Sequence, residues 1–257
     1  MEEYSKHFNT VEIDQWFWSL FDSGKVVLPK TSVAANYAES VPDDFKFTIK
    51  MPNSLTLTHY YKSDKPNPNF LNPELYAAFL HAVEPLHDKI GALMFQFEYL
   101  NKQKMNNLNQ FIEKMYSFIG KADKRFRIGI ETRNPNYLTK PFFEMLKELN
   151  LSMVFLEGYY MPPIVEVYNK HKEEITSPVV IRLHGPDRSG IEEKTKGNWN
   201  QIVEPKDASL PPIIEMIKDL GVREIGTYVN VNNHFEGSAP LTINKIINGL
   251  KGNVPSS

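Results

Sequence analysis

The stretch Arg127-Ile128-Gly129-Ile130-Glu131-Thr132-Arg133 alternates in polarity with period two and ends on an acid and a base. Such alternation belongs to a β-strand with one face against an apolar layer. Ile128 and Ile130 take that face, and Gly129, Glu131 and Arg133 take the other. Val179-Val180-Ile181-Arg182-Leu183-His184 reads the same way, with Arg182 and His184 opposite Val179, Ile181 and Leu183. In 46–51, Phe47, Ile49 and Met51 oppose Lys46, Thr48 and Lys50. Working outward, apolar runs occur at 8–13, 45–51, 92–97, 127–132, 153–156, 179–183 and 224–231. Each finishes on polar residues: Glu12 and Asp14, Lys50, Gln96, Glu131 and Arg133, Glu157, Arg182 and His184, Asn232 and Asn233.

Helical spacing fills the gaps between the runs. Asn72 can cap a helix that starts at Pro73 and carries Leu75, Phe79, Ala82, Val83 and Leu86 on one side. Leu108, Phe111, Ile112, Met115, Phe118 and Ile119 form a second stripe, and Phe142, Phe143, Leu146 and Leu149 a third. Further helices are expected over 164–175, 212–220 (stopped by Gly221) and 241–250, with a weak one over 31–40. Residues 54–71 read as the longest loop, a candidate lid or binding segment. Strand–helix alternation from end to end argues for parallel βα units, and 257 residues suit one α/β barrel of TIM type. A single barrel domain is expected over 1–251, with 252–257 as a loose tail.

Composition bounds the function. A formal charge of −2 supplies no global attraction for nucleic acid or anionic lipid, so nucleic acid is disfavoured as a partner. No apolar stretch approaches the roughly 20 residues of a membrane span, and the first seven residues hold no signal-peptide core. The absence of cysteine excludes disulfides, thiolate metal sites and cysteine nucleophiles. A cytoplasmic location is the expectation. No Walker or dinucleotide fingerprint, His-Glu-x-x-His helix or Gly-x-Ser-x-Gly elbow is present, so no nucleotide cofactor is implied.

The run-ends carry a resemblance to a known family. Phe8-Asn9-Thr10-Val11-Glu12-Ile13, Pro42-Asp43-Asp44-Phe45-Lys46-Phe47 leading to Lys50, Thr58-His59 and Phe95-Gln96 occur in that order. They are followed by Glu131-Thr132-Arg133-Asn134-Pro135, Arg182-Leu183-His184-Gly185 and Asn232-Asn233 before Gly237. Together these resemble the YecE-like family, domain of unknown function 72, from about Phe8 to Pro240. The resemblance implies a TIM-type barrel and a site at these strand ends, without a substrate. Family members usually open with a strand and a Gly-rich, aromatic loop ahead of the Phe-Asn-Thr-Val-Glu strand, and here that first strand is lacking. A seven-stranded barrel leaves two edges unpaired. Three explanations stay open: a start further upstream, an open barrel, or a partner, such as a second copy in a homo-oligomer, over the gap.

The candidate chemistry follows from residue type. Glu131 suits a general base or metal ligand, and Arg133 a bidentate clamp for phosphate or carboxylate; an inward salt bridge is the plainer alternative. His184 suits proton transfer near neutral pH. Glu12, with Asp14 on its face, offers a carboxylate pair for acid/base work or a hard cation, or a buried partner for Lys50. Glu12, Glu131 and His184 are therefore the catalytic candidates. Lys50, His59, Gln96, Arg133, Arg182, Asn232 and Asn233 are the substrate-binding candidates. Trp16, Phe17 and Trp18 suit a pocket wall for a sugar or base, or plain packing. His7, His81, His87 and His171 read as surface.

Three functions compete. The first is an enzyme, a hydrolase or an isomerase/lyase, acting on a small anionic substrate that is phosphorylated or sugar-like. The second is a metal-dependent phosphodiesterase using a divalent metal on Glu12, Glu131, Glu157, His184 or His234. The third is a non-catalytic binding or scaffold protein.

Overall fold

The computed structural model describes residues 1–21 and 24–252, so the expected tail lies, beyond Gly252, outside the described residues. The chain groups into two compact units, Met1–Leu151 and Ser152–Ser257.

The first unit contains β1 (Thr10–Ile13), β2 (Lys46–Lys50), β3 (Ile90–Gln96) and β4 (Ile128–Glu131). Its helices are α1 (Glu2–Ser5), α2 (Thr31–Glu39), α3 (Asn53–Thr56), α4 (Pro73–Ala82), α5 (Leu108–Ile119) and α6 (Lys140–Glu148). The strands pair in parallel and in chain order, with Glu12 opposite Thr48, Lys50 opposite Met94 and Gln96 opposite Glu131. Both faces of these strands are covered: Phe47, Ile49, Leu93, Phe95 and Ile130 are sealed from solvent, and so are Thr48, Met94 and Glu131 on the other side. The stripe of α5 buries Phe111, Met115, Phe118 and Ile119. Asn72 caps α4 by accepting from the backbone N–H of Glu74 and Leu75, which satisfies two of the donors a helix start leaves open.

The second unit contains β5 (Ser152–Gly158), β6 (Val179–Gly185) and β7 (Thr227–Val231), again parallel and in chain order. Its helices are α7 (Ile164–His171), α8 (Arg188–Thr195), α9 (Leu210–Val222) and α10 (Ala239–Leu250). Seven strands are thus present among the described residues, at the seven expected places.

Four expectations are corrected. The loop expected over 54–71 begins only after α3, which takes Asn53–Thr56, and its opening residues Leu57 and Thr58 are buried. His171 is buried, not at the surface, because it shares helical spacing with buried Ile164, Val167 and Tyr168 on α7. Asp14 does not pair with Glu12 on a strand face, since β1 ends at Ile13 and exposed Asp14 accepts the Phe17 N–H in a turn. Gly221 does not stop its helix, which runs on to Val222.

A methyl group at Gly221 would meet nothing within 4 Å. Gly221→Ala is therefore expected to stabilise the protein by about 0.5 kcal/mol, through the lower backbone entropy of the unfolded chain. An unchanged or lower urea midpoint would contradict the open space at that position.

Candidate functional site

In the first unit the ends of β2, β3 and β4 bring Lys50, Gln96 and Glu131 onto neighbouring strands. Two residues beyond Glu131, the Arg133 Nε stands 2.8 Å from its Oε1. The Glu131 side chain is 0% exposed, whereas Arg133 keeps 19% of its side chain open. Asn134 fixes the chain just beyond this pair. Its amide oxygen accepts the Leu100 N–H at 2.8 Å and its amide nitrogen donates to the Leu100 carbonyl at 3.0 Å. The loops after β3 and β4 are thereby pinned to each other, so Arg133 leaves the sheet at a set angle.

Lys50 carries its ammonium 3.7 Å above the Phe17 ring, a cation–π arrangement. Trp16 turns the other way, edge-on to Tyr37 and Phe79, and is core. Glu12 is half-buried at the end of β1. His59 belongs to a separate polar string, with its Nδ1 2.9 Å from the Thr58 hydroxyl. That hydroxyl reaches Glu98 at 3.4 Å, and Glu98 pairs with Lys104.

In the second unit β5 and β6 end in contact so close that only glycine fits. A Cβ on Gly158 would lie 2.4 Å from the Gly185 carbonyl oxygen, and one on Gly185 would lie 2.7 Å from that of His234. This crossing sets Tyr159, in the left-handed region at φ 54°, with its ring centroid 6.0 Å from that of half-buried His184. Arg182 lies deeper on β6, between Leu156 and Asn230, and is 2% exposed.

Asn232 and Asn233 serve their own loop. The Asn232 amide oxygen accepts from both the backbone N–H and the ring Nδ1 of His234. That of Asn233 accepts the Ala239 N–H at 2.8 Å, at the start of α10. The His234 Nε2 lies 3.0 Å from Glu192 on α8, so both ring nitrogens have partners. Below this, fully buried Glu236 accepts the Lys206 N–H, the Thr242 hydroxyl and the Lys245 ammonium. Those bonds tie the 186–209 connection to the β7–α10 turn. Glu204, on the same connection, is held down to about 2 by hydrogen bonds from Lys194 and Lys206.

A family model described as "Protein of unknown function DUF72" matches residues 1–256. The chain belongs to the DUF72 family. The UPF0759 protein YecE of Escherichia coli strain K12 is 26% identical to it over 140 residues, covering 54% of this chain and 43% of YecE. That match spans less than half the length of the relative. A solved DUF72 protein from Enterococcus faecalis V583 is similar over 96% of this chain and 92% of its own, with TM-score 0.67 and 22% identity. A DUF72 protein from Thermotoga maritima MSB8 is similar over 95% and 85%, with TM-score 0.62 and 18% identity. Likeness at this level shows the fold, an α/β architecture of the TIM-barrel type. Among the described residues, no helix is long and apolar enough to cross a membrane, and no three His, Asp or Glu side chains gather as a metal set.

Glu157 is the DUF72 strand-end residue that alternation alone undervalues. Its Oε2 accepts the Ile164 N–H at 3.0 Å and so caps α7, whose own N-cap residue, Pro163, supplies no side-chain cap. Burial pushes its carboxyl above the usual range, against the lowering effect of that hydrogen bond. A carboxyl raised in the folded state binds protons more tightly there than when unfolded, so its charge costs stability once pH rises through the carboxylate range. Glu157→Gln keeps an acceptor for Ile164 and removes the charge. The variant should gain stability relative to the parent at pH 7, and the gain should vanish below pH of about 4. A constant difference across pH, measured by urea unfolding, would refute the assignment.

Proposed function

We propose that this DUF72 protein is an enzyme acting on a small anionic substrate, phosphorylated or sugar-like, at the strand ends of its first unit. The observation that carries the reading is the Glu131–Arg133 pair. A carboxylate sealed from solvent holds a guanidinium that stays partly open, and a fixed guanidinium recognises phosphate or carboxylate oxygens in a fork. Glu131 is then a positioning residue. The acid/base role falls to Glu12, half-buried on β1, while Lys50 and Gln96 supply a second cation and a neutral hydrogen-bonding amide.

The experiment is a thermal-stabilisation screen against phosphorylated sugars, small carboxylates and inorganic phosphate, followed by turnover assays on the hits. Anions should raise the melting temperature of the parent, and Arg133→Gln should abolish that rise. Glu12→Gln should keep the rise and lose turnover. A screen in which no anion stabilises the parent, or in which Arg133→Gln responds as the parent does, would reject the proposal.

A further inference from the structure

Beside Lys50, the first unit exposes aromatic rings on backbone that is firmly held. Trp18 is 62% exposed and Tyr61 57% exposed, yet their ring centroids lie 5.7 Å apart, edge to face. Phe17 continues the row, 5.2 Å from Trp18 and also edge to face. Two buried asparagines fix this geometry through α3. The Asn53 amide oxygen accepts the N–H groups of Ser19 and Leu20 and the Ser19 hydroxyl. The Asn53 N–H donates to the Phe17 carbonyl at 2.7 Å. The Asn67 amide donates to the carbonyls of Ser54 and Leu57 at 2.8 and 2.7 Å. The turn that carries Tyr61 closes between Tyr60 and Lys65 and holds Lys62 in the left-handed region at φ 53°. Both loops therefore hang from one buried helical turn.

Exposed indole and phenol rings on anchored loops add nothing to the core, and the hydrophobic effect disfavours leaving them wet. The charges around them say what covers them. Lys50, Lys62 and Lys65 stand 3.7, 5.3 and 4.9 Å from the ring centroids of Phe17, Tyr61 and Tyr60. Asp64 is the carboxylate of that turn, against its two lysines. Ammonium groups over these neighbouring rings put positive charge beside exposed Trp18, which suits a ligand that stacks there and carries negative charge. The Lys50–Phe17 and Phe17–Trp18 separations together bound the distance from ammonium to indole, and that bound is within the reach of one nucleotide from base to phosphate. Two rings meeting edge to face offer room for a single heterocycle and not for a run of bases.

We propose that exposed Trp18, bordered by Phe17 and Tyr61, is a stacking platform for the base of a free mononucleotide-type ligand, whose phosphate lies toward Lys50. The assignment deepens the anionic-substrate reading and rests on it for the phosphate.

The test is a titration of tryptophan fluorescence and of thermal stability with adenosine monophosphate, adenosine, ribose 5-phosphate, inorganic phosphate and oligothymidylate. The parent should show saturable quenching by adenosine monophosphate. Trp18→Ala, and independently Tyr61→Ala, should weaken that ligand by about tenfold, as loss of one base–aromatic stack does. Binding of ribose 5-phosphate should be unchanged in both variants. Circular dichroism and urea midpoints matching the parent would confirm that each variant is folded. Equal affinity of parent and both variants for adenosine monophosphate would overturn the platform and leave the anion site standing. So would stabilisation by inorganic phosphate with no adenosine monophosphate binding. Failure of every anion would overturn both, and preference for oligothymidylate would overturn the free-nucleotide assignment.

Discussion

Glu131→Ala should lower the stability of the protein by about 3 kcal/mol, the low end of the range found when one partner of a buried ion pair is removed, because Arg133 keeps part of its side chain open to water. The carboxylate is fully enclosed, and its Oε1 lies 2.8 Å from the Arg133 Nε. Alanine leaves that guanidinium beside a cavity with the Glu131 carboxylate gone. The loss includes the cost of leaving the guanidinium without that carboxylate, and is not the net worth of the pair. Removing both charges tests this. Glu131→Leu combined with Arg133→Met should recover most of the stability lost by Glu131→Ala, while losing anion-induced stabilisation as Arg133→Gln does. Urea unfolding of the parent, the single variant and the double variant decides it. A single variant within about 0.5 kcal/mol of the parent, as for an ordinary surface change, would mean the pair is not the anchor of this rim.

That pair is legible in the amino-acid sequence as an acid and a base two residues apart at a strand end, although β4 stops at Glu131 and Arg133 lies just beyond it. The seven strands are legible as apolar runs with polar ends, and so is α5, with four apolar residues buried at helical spacing. Elements with sparse apolar signal are not. α8 buries only Ile191 and Thr195, and α3 is a four-residue turn, shorter than any usable period. The burial of His171 does have a local signal, since Ile164, Val167 and Tyr168 mark its face of α7. Asn232 and Asn233 have none, because an asparagine side chain bonds to nearby backbone as readily as to a ligand. The meeting of Trp18 with Tyr61 is also hidden. It depends on Asn53 and Asn67 gathering two distant loops onto α3, a tertiary arrangement with no local pattern. Glu157 escapes weight because its partner, the open N–H at the start of α7, exists only once that helix is in place.

Gly158→Ala should be the most damaging small substitution in the second unit. The residue lies at φ 134°, and its added Cβ would stand 2.4 Å from the Gly185 carbonyl oxygen and 2.8 Å from that residue's N and C atoms. These neighbours are backbone, so no rotamer change relieves the overlap. Backbone strain of this kind alone costs about 1–3 kcal/mol, and separating β5 from β6 should carry the total above about 4 kcal/mol. Gly197→Ala is the control. It also sits at positive φ, 76°, but its Cβ would meet nothing within 4 Å, so it should show the strain cost alone. The difference between the two variants reflects the close approach together with the rarer φ of Gly158, and equal urea midpoints would refute it. The consequence reaches the chemistry, because the same crossing sets the Tyr159 ring beside His184. Any Gly158→Ala protein that folds should therefore show a displaced His184 ring resonance, whereas Gly197→Ala should leave that resonance where it is.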